Sequence, residues 1–269
     1  HIFANLDLNL SEDESYESNL SFIVQRTNND TYFRNHNINT ALVNSDNTNL
    51  VNEIKYSFSK DDIYLNITGN MYEDLRVKTN ERYEYILPNI MFGKTFFTEK
   101  FGIIDFKSNA LHNSYKINRH RTSLTNDVIW RPSSQTTKKG FVNSLEGMLR
   151  NTNYEARKTG EYKDEGTVNE LHGVLGYKSS LPMKKDGINH YNLFSPNFMV
   201  RFAPGHMRDM RKEGVSLGYA KLYSLNKTSE IEEGLSAILG FDFKINEKEN
   251  DTEKLSLSLG QIFNYEENR

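Results

Sequence analysis

Between Gly234 and Asn246 the chain reads Gly-Leu-Ser-Ala-Ile-Leu-Gly-Phe-Asp-Phe-Lys-Ile-Asn, and this alternation narrows the possible folds more than any other stretch. Leu235, Ala237, Leu239, Phe241, Phe243 and Ile245 share one parity, while Ser236, Gly240, Asp242 and Lys244 share the other. Ile238 is the exception. Successive side chains of a strand point to opposite faces, so the pattern predicts a strand with an oily face and a wet face.

The same period recurs along the chain. Leu6, Leu8 and Leu10 oppose Asp7 and Asn9, and Leu20, Phe22 and Val24 oppose Ser21 and Gln25 across the acidic turn at 11–15. Ile54, Tyr56 and Phe58 oppose Lys55 and Ser57, and Ile63, Leu65 and Ile67 oppose Asn66 and Thr68. Tyr83, Tyr85 and Leu87 predict a strand that ends at Pro88. Ile104 and Phe106 oppose Asp105 and Lys107, and Phe141, Leu145 and Leu149 oppose Ser144, Glu146 and Arg150. Leu171, Leu175 and Tyr177 follow. Val215, Leu217, Tyr219, Tyr223 and Leu225 predict one strand, with Lys221 on its apolar parity, and Leu255, Leu257, Leu259, Phe263 and Tyr265 predict another. The polar stretches 107–140, 151–169 and 179–192 are expected to be external loops. No long window has a helical period.

Alternation alone does not say what the oily face meets. Globular strands usually run about five or six residues, whereas a tilted bilayer crossing needs about 9–11. The strands here are of the longer kind. Tyr83, Tyr85, Tyr177, Tyr191, Tyr223 and Tyr265 stand near strand ends, as in the aromatic girdles of outer-membrane barrels. The 5 prolines leave long ladders uninterrupted. A mean hydropathy of -0.70 does not oppose this, because alternate residues alone face lipid. The expected fold is all-β, a transmembrane antiparallel up-and-down barrel segment of roughly a dozen strands, forming one domain over 1–269. A soluble β-sandwich is the alternative that alternation shares. The wet parity, including Asp7, Asn9, Ser21, Gln25, Lys55, Asn66, Glu146, Arg150, Asp242, Lys244, Ser256 and Asn264, would then line the lumen.

A net charge of -3 gives no electrostatic basis for nucleic-acid binding. With 0 cysteines there is no disulfide framework and no thiolate metal site. The chain starts at His1 with no signal-peptide pattern, which predicts an internal piece of a longer precursor.

Two stretches carry a family resemblance. Ser256 to Arg269 ends Ser-Leu-Gly-Gln-Ile-Phe-Asn-Tyr-Glu-Glu-Asn-Arg, with Gly260, Gln261 and Arg269 as its marks. Leu193 to Pro204 reads Leu-Phe-Ser-Pro-Asn-Phe-Met-Val-Arg-Phe-Ala-Pro, with Pro196, Arg201 and Pro204. Both resemble strands of the LPS-assembly outer-membrane protein family (LptD, also called the organic solvent tolerance or OstA family). Weaker echoes lie at 29–34, 87–90 and 231–235. The resemblance implies a barrel in the outer membrane of a Gram-negative bacterium that inserts lipopolysaccharide into the outer leaflet. It implies a plug lipoprotein (LptE) in the lumen and a periplasmic lipopolysaccharide bridge met through an N-terminal domain. It also implies contact with outer-membrane lipid, no cofactor and no enzymatic reaction. That N-terminal domain and the closing strands are expected to lie outside this sequence.

Other constellations point to different chemistry. A general porin or receptor barrel would show the same mixed polar wall. His112 and Ser114 could share a strand face as base and nucleophile, as in outer-membrane phospholipases, but Tyr115 and Lys116 replace the expected turn, and Asn118 is a poor stand-in for the orienting Asn. The basic run Lys116 to Arg121 suits phosphates or a solvated loop. His206 and Asp209 lack a third metal ligand. Lys184 to Gly187 reads as a turn, and Trp130 as an interfacial anchor.

Overall fold

The computed structural model describes residues 1–40, 43, 46–115, 118–158, 166–205, 222–226 and 231–265. The strands are β1 (Ile2–Asn9), β2 (Glu17–Arg26), β3 (Asn49–Lys60), β4 (Ile63–Asp74), β5 (Tyr83–Thr98), β6 (Gly102–Tyr115) and β7 (Arg119–Arg131). They continue as β8 (Gln135–Thr136), β9 (Val142–Arg157), β10 (Gly166–Ser180), β11 (Met183–Asp186), β12 (His190–Ala203), β13 (Gly234–Glu247) and β14 (Glu253–Asn264). Among the described residues a short helix, α1 (Tyr32–Asn35), and a 3-10 turn at Asn80–Arg82 interrupt them. All belong to one 14-stranded sheet. Its order follows the chain from β1 to β14, with β8 and β11 as short flaps on β9 and β12. Among the described residues β1 and β14 do not pair with each other, so the sheet is an open meander, as an incomplete barrel would be. Among the described residues no helix is long and apolar enough to cross a membrane.

The chain divides into two compact units. The first holds His1–Phe96, Asp105–Asp127 and Asn151–Glu170. Its register stacks like residues into rows, because directly opposed residues of antiparallel strands share a face. Leu8 opposes Leu20, Leu20 opposes Tyr56, Tyr56 opposes Ile67, and Ile67 opposes Ile90. The adjoining row runs Asp7, Ser21, Lys55, Thr68, Asn89. A further polar row joins Asn9, Asn19, Ser57 and Asn66. Leu6, Leu8, Val24, Ile54 and Ile67 leave their side chains exposed on the apolar face, with no protein layer over them. An exposed apolar surface of this extent marks an interaction surface.

The second unit holds Phe97–Ile104, Val128–Arg150 and Leu171–Arg269. Here the rows Phe194–Phe243–Leu257 and Pro196–Phe241–Leu259 alternate with Ser195–Asp242–Ser258 and Leu193–Lys244–Ser256. The strand quoted at the start therefore keeps its two faces. Leu239, Leu257, Leu259 and Phe263 are exposed. Asp242 is held on the other face by Asn197 (2.7 Å) and Ser258 (2.7 Å), and Lys244 pairs with Glu253 at 2.6 Å.

Several expectations are corrected. The stretch 107–140 is mostly strand, β6 and β7, because its polar side chains bond across the ladder. Ser108 donates to Asn126 at 2.7 Å and Asn126 to Asn151 at 3.3 Å. The stretch 151–169 carries the end of β9 and the start of β10, and 179–192 carries β11, which includes Lys184, Lys185 and Asp186. The turn follows from Gly187, whose N–H donates to the His190 carbonyl. β5 does not stop at Pro88 but runs to Thr98. The β4–β5 register shifts between Thr68 and Asn70, so Leu87 and Pro88 fall at the bulge, where proline's missing N–H removes no ladder bond. Residues 222–225 of the strand expected over 215–225 are not strand, and the rest of it lies outside the described residues.

Two outcomes follow. Leu239→Arg in the full-length protein should cost about 2–4 kcal/mol of folding stability in bilayers if it faces lipid near the midplane, and Asp242→Arg much less, as measured by denaturant titration in vesicles. Equal losses would remove the two-face reading. In the 248–252 turn, hydrogen bonds from Tyr191 and then Asn246 hold the Asp251 carboxyl below its usual value of about 3.8. A depressed folded pKa adds stability above that usual value and loses it as pH falls through the lower folded value. Tyr191→Phe should raise the Asp251 midpoint in a carbon-13 titration.

Candidate functional site

In the second unit the polar face changes character along β10, β12 and β13. Arg201 lies opposite Ser236, and Met199 opposite Ile238. Arg201 is 1% exposed, a cation buried among Met199, Ala203 and Ser236 of the same face. A buried guanidinium must find acceptors for its donors. It finds backbone carbonyls of the connection after β12: Nε donates to the Leu225 carbonyl at 2.5 Å, and Nη2 donates to the Glu232 carbonyl. The described parts of that connection, 222–226 and 231–233, therefore form a strap against the wall.

Apolar packing completes the strap. Leu225 and Ile231 are buried with Met148, Val174, Met199, Ala203 and Ile238, and Ile129, Leu222, Tyr223 and Ile262 pack around them. Burying each large aliphatic side chain is worth about 1.5–3 kcal/mol. The wall is cut to fit. A side chain at Gly176 would run into Leu225 and Met199, and one at Gly240 into the Tyr223 hydroxyl. Gly205 has φ +120, open to glycine, and a Cβ there would collide with the Glu233 carboxylate. That carboxylate reaches His172 Nδ1 at 3.1 Å, a second tie between strap and wall. Lys178 lies 4.9 Å over the Tyr223 ring.

In the first unit, described residues of connection 27–48 pack against the start of β3 and the residue after β4. Phe33 of α1, Val43, Leu50 and Leu75 are buried together. Arg82 bridges Asp30 at 2.7 Å and Glu73 at 2.8 Å. The Asp30 hydrogen bond and the Glu73 charge push the Arg82 guanidinium above its ordinary value.

The residues expected to line a lumen fall on the polar parity. Asp7 and Lys55 belong to one row, and Asn9 and Asn66 to another. Glu146 and Arg150 share the β9 face of buried Met148, with Glu146 3.6 Å from Arg131. Of the motif residues, Arg201 is the strap anchor, Pro196 opposes Phe241, Pro204 follows β12, Gly260 opposes Gly240, and Gln261 opposes Leu239. Arg269, Lys116, His206, Asp209 and Lys221 lie outside the described residues. His112 Nδ1 contacts Thr122 Oγ1 at 2.8 Å, so its bonding is across the ladder and not along its own strand to Ser114. Trp130 donates to the Phe101 carbonyl at 2.7 Å. The strap itself was not foreseen. Its sequence signal is apolar Ile238 on the wet parity of β13.

Long two-faced antiparallel strands in an open meander, with an exposed apolar face and a partly covered polar one, define a segment of transmembrane β-barrel wall. Residues 5–269 match the family LptD: LPS transport system D, and the chain belongs to that family. Membership gives it a role in lipopolysaccharide transport at the outer membrane. No curated protein matches the chain.

Arg201→Met would keep bulk but leave the buried Leu225 carbonyl short of a donor, at about 1–3 kcal/mol, and the half-buried Glu232 carbonyl short of one too. Limited trypsin digestion of the full-length protein should then cut faster within 204–233, which carries Arg208, Arg211, Lys212, Lys221 and Lys227. An unchanged rate would mean that the apolar cluster holds the strap unaided.

Proposed function

We propose that this chain is wall of an outer-membrane translocon that inserts lipopolysaccharide into the outer leaflet. The supporting observation is the row structure: apolar rows lie exposed beside polar rows of mixed charge, in a chain of the LPS transport system D family. The apolar rows face lipid and the polar rows a hydrated lumen. Both units are parts of one barrel domain, in which paired strands satisfy the backbone that lipid cannot.

The lumen role assigns work to each part. Asp7, Asn9, Lys55, Asn66, Glu146, Arg150, Asp242 and Lys244 offer donors and acceptors to a plug lipoprotein and to the sugar and phosphate portions of the lipid. The strap anchored by Arg201 narrows the lumen beside β12 and β13. The long connections, 27–48 in the first unit and 204–233 in the second, are external, and the short ones, 61–62 and 248–252, periplasmic. The lipid arrives from a periplasmic bridge through an N-terminal domain. No covalent bond changes in the barrel, so the reaction is transport and not catalysis.

The test depletes the full-length parent protein while labelled lipopolysaccharide is followed to the cell surface. Surface arrival should stop while synthesis continues. Continued arrival with altered solute permeability or phospholipid turnover would replace this reading with a porin or a phospholipase.

A further inference from the structure

On the apolar side of the second unit, a groove of about 370 Å³ is bounded by Val128, Trp130, Leu149, Leu175, Phe202 and Pro204. That volume falls in the range of small-molecule sites, about 300–1,000 Å³. Its floor is open because β9 and β10 place Gly147 and Gly173 there. A Cβ at Gly147 would stand 3.4 Å from Leu175 and from Trp130, and one at Gly173 would stand 3.4 Å from Leu149. These are ordinary contact distances, so larger side chains would fit the space and fill it. The lining is hydrocarbon almost throughout, which suits an alkyl chain and offers little to a polar ligand.

One end of the groove meets an aromatic belt. The Trp130 indole is fixed by its bond to the Phe101 carbonyl at 2.7 Å, and the Tyr177 hydroxyl by Asn143 at 3.0 Å. Phe97 near the end of β5, Phe101 in the turn after it and Phe141 just before β9 are exposed as well. Aromatic residues of this kind sit at headgroup level. In the 99–101 turn, Lys100 Nζ lies 5.4 Å over the Phe101 ring. Glu99 precedes it, and both are exposed. An ammonium beside a carboxylate complements a headgroup that carries a phosphate and an ammonium of its own.

We propose that this groove is a binding site for one phospholipid with a zwitterionic phosphoethanolamine headgroup. An acyl chain lies over Gly147 and Gly173, the phosphate meets Lys100, and the headgroup ammonium meets Glu99. The proposal rests on the reading that the apolar face is lipid-facing. No covalent step is involved. The lipid is a bound component of the wall, distinct from the transported lipid.

The test uses the full-length protein in bilayers containing a phosphatidylethanolamine with a diazirine on one acyl chain. After irradiation, adducts are mapped by peptide mass spectrometry. The expected result is an adduct yield at Trp130, Leu149, Leu175 and Phe202 at least several-fold above that at Leu257 and Leu259 of β14. Gly173→Leu should bring the groove down to the β14 level without changing β14. Gly147→Ala, a smaller change, serves if that variant does not fold. Lys100→Glu, or unlabelled phosphatidylethanolamine as competitor, should lower the excess, and phosphatidylglycerol should not. Equal yields at groove and β14 would overturn the site while leaving the lipid-facing reading intact. Absence of adducts at both, with labelling of both by a water-soluble diazirine, would overturn the lipid-facing reading itself.

Discussion

The register of the ladders is the constraint on which the rest depends. In a bilayer every backbone N–H and C=O must be satisfied within the sheet. Pairing therefore extends over the length of each strand, and a slip of one residue would send every side chain to the wrong face. The row Leu8, Leu20, Tyr56, Ile67, Ile90 and its neighbour Asp7, Ser21, Lys55, Thr68, Asn89 are two readings of one register. Neither row could move without the other, and the cost would fall on both faces at once. In the β4–β5 ladder the register shifts between Thr68 and Asn70, beside Pro88, which has no N–H to offer.

Strands whose two faces differ sharply were legible in the sequence. β13 and β14 carry long apolar runs at one parity, and hydropathy reads them directly. Most of β6 beyond Lys107 and all of β7 read as loop, because many of their side chains are polar on both parities. Ser108, Asn126 and Asn151 satisfy one another across neighbouring strands. A hydropathy pattern registers the polarity of such residues but not their partners. The difference is physical: the first kind of strand is specified by what it excludes, the second by bonds to residues far away in sequence.

The strap was invisible for a related reason. Tyr223 and Leu225 continue an alternating pattern that suggests a strand, and Arg201 stands out in the sequence only as a residue of the 193–204 motif. Only in three dimensions does the Arg201 guanidinium meet the Leu225 and Glu232 carbonyls. A cation in that position is costly unless hydrogen-bonded, and backbone carbonyls supply the bonds, with the Glu232 charge also acting in its favour. Gly176 and Gly240 matter for what they omit, and an omission has no hydropathy signature.

Ile238 ties these observations together. It breaks the alternation of β13, and it is 0% exposed under the strap cluster. Met199 and Ile262 oppose it on either side, so the break forms a row across three strands and is not an isolated substitution. An apolar residue on a wet wall costs free energy unless something covers it. A row of them on adjacent strands therefore marks where a lumen wall is covered, and a single-strand exception does not. The same logic inverts on the other face, where glycines among large apolar residues mark where that face is indented. In both cases the informative residue is the one that breaks the period, and its neighbours across the ladder decide what the break means.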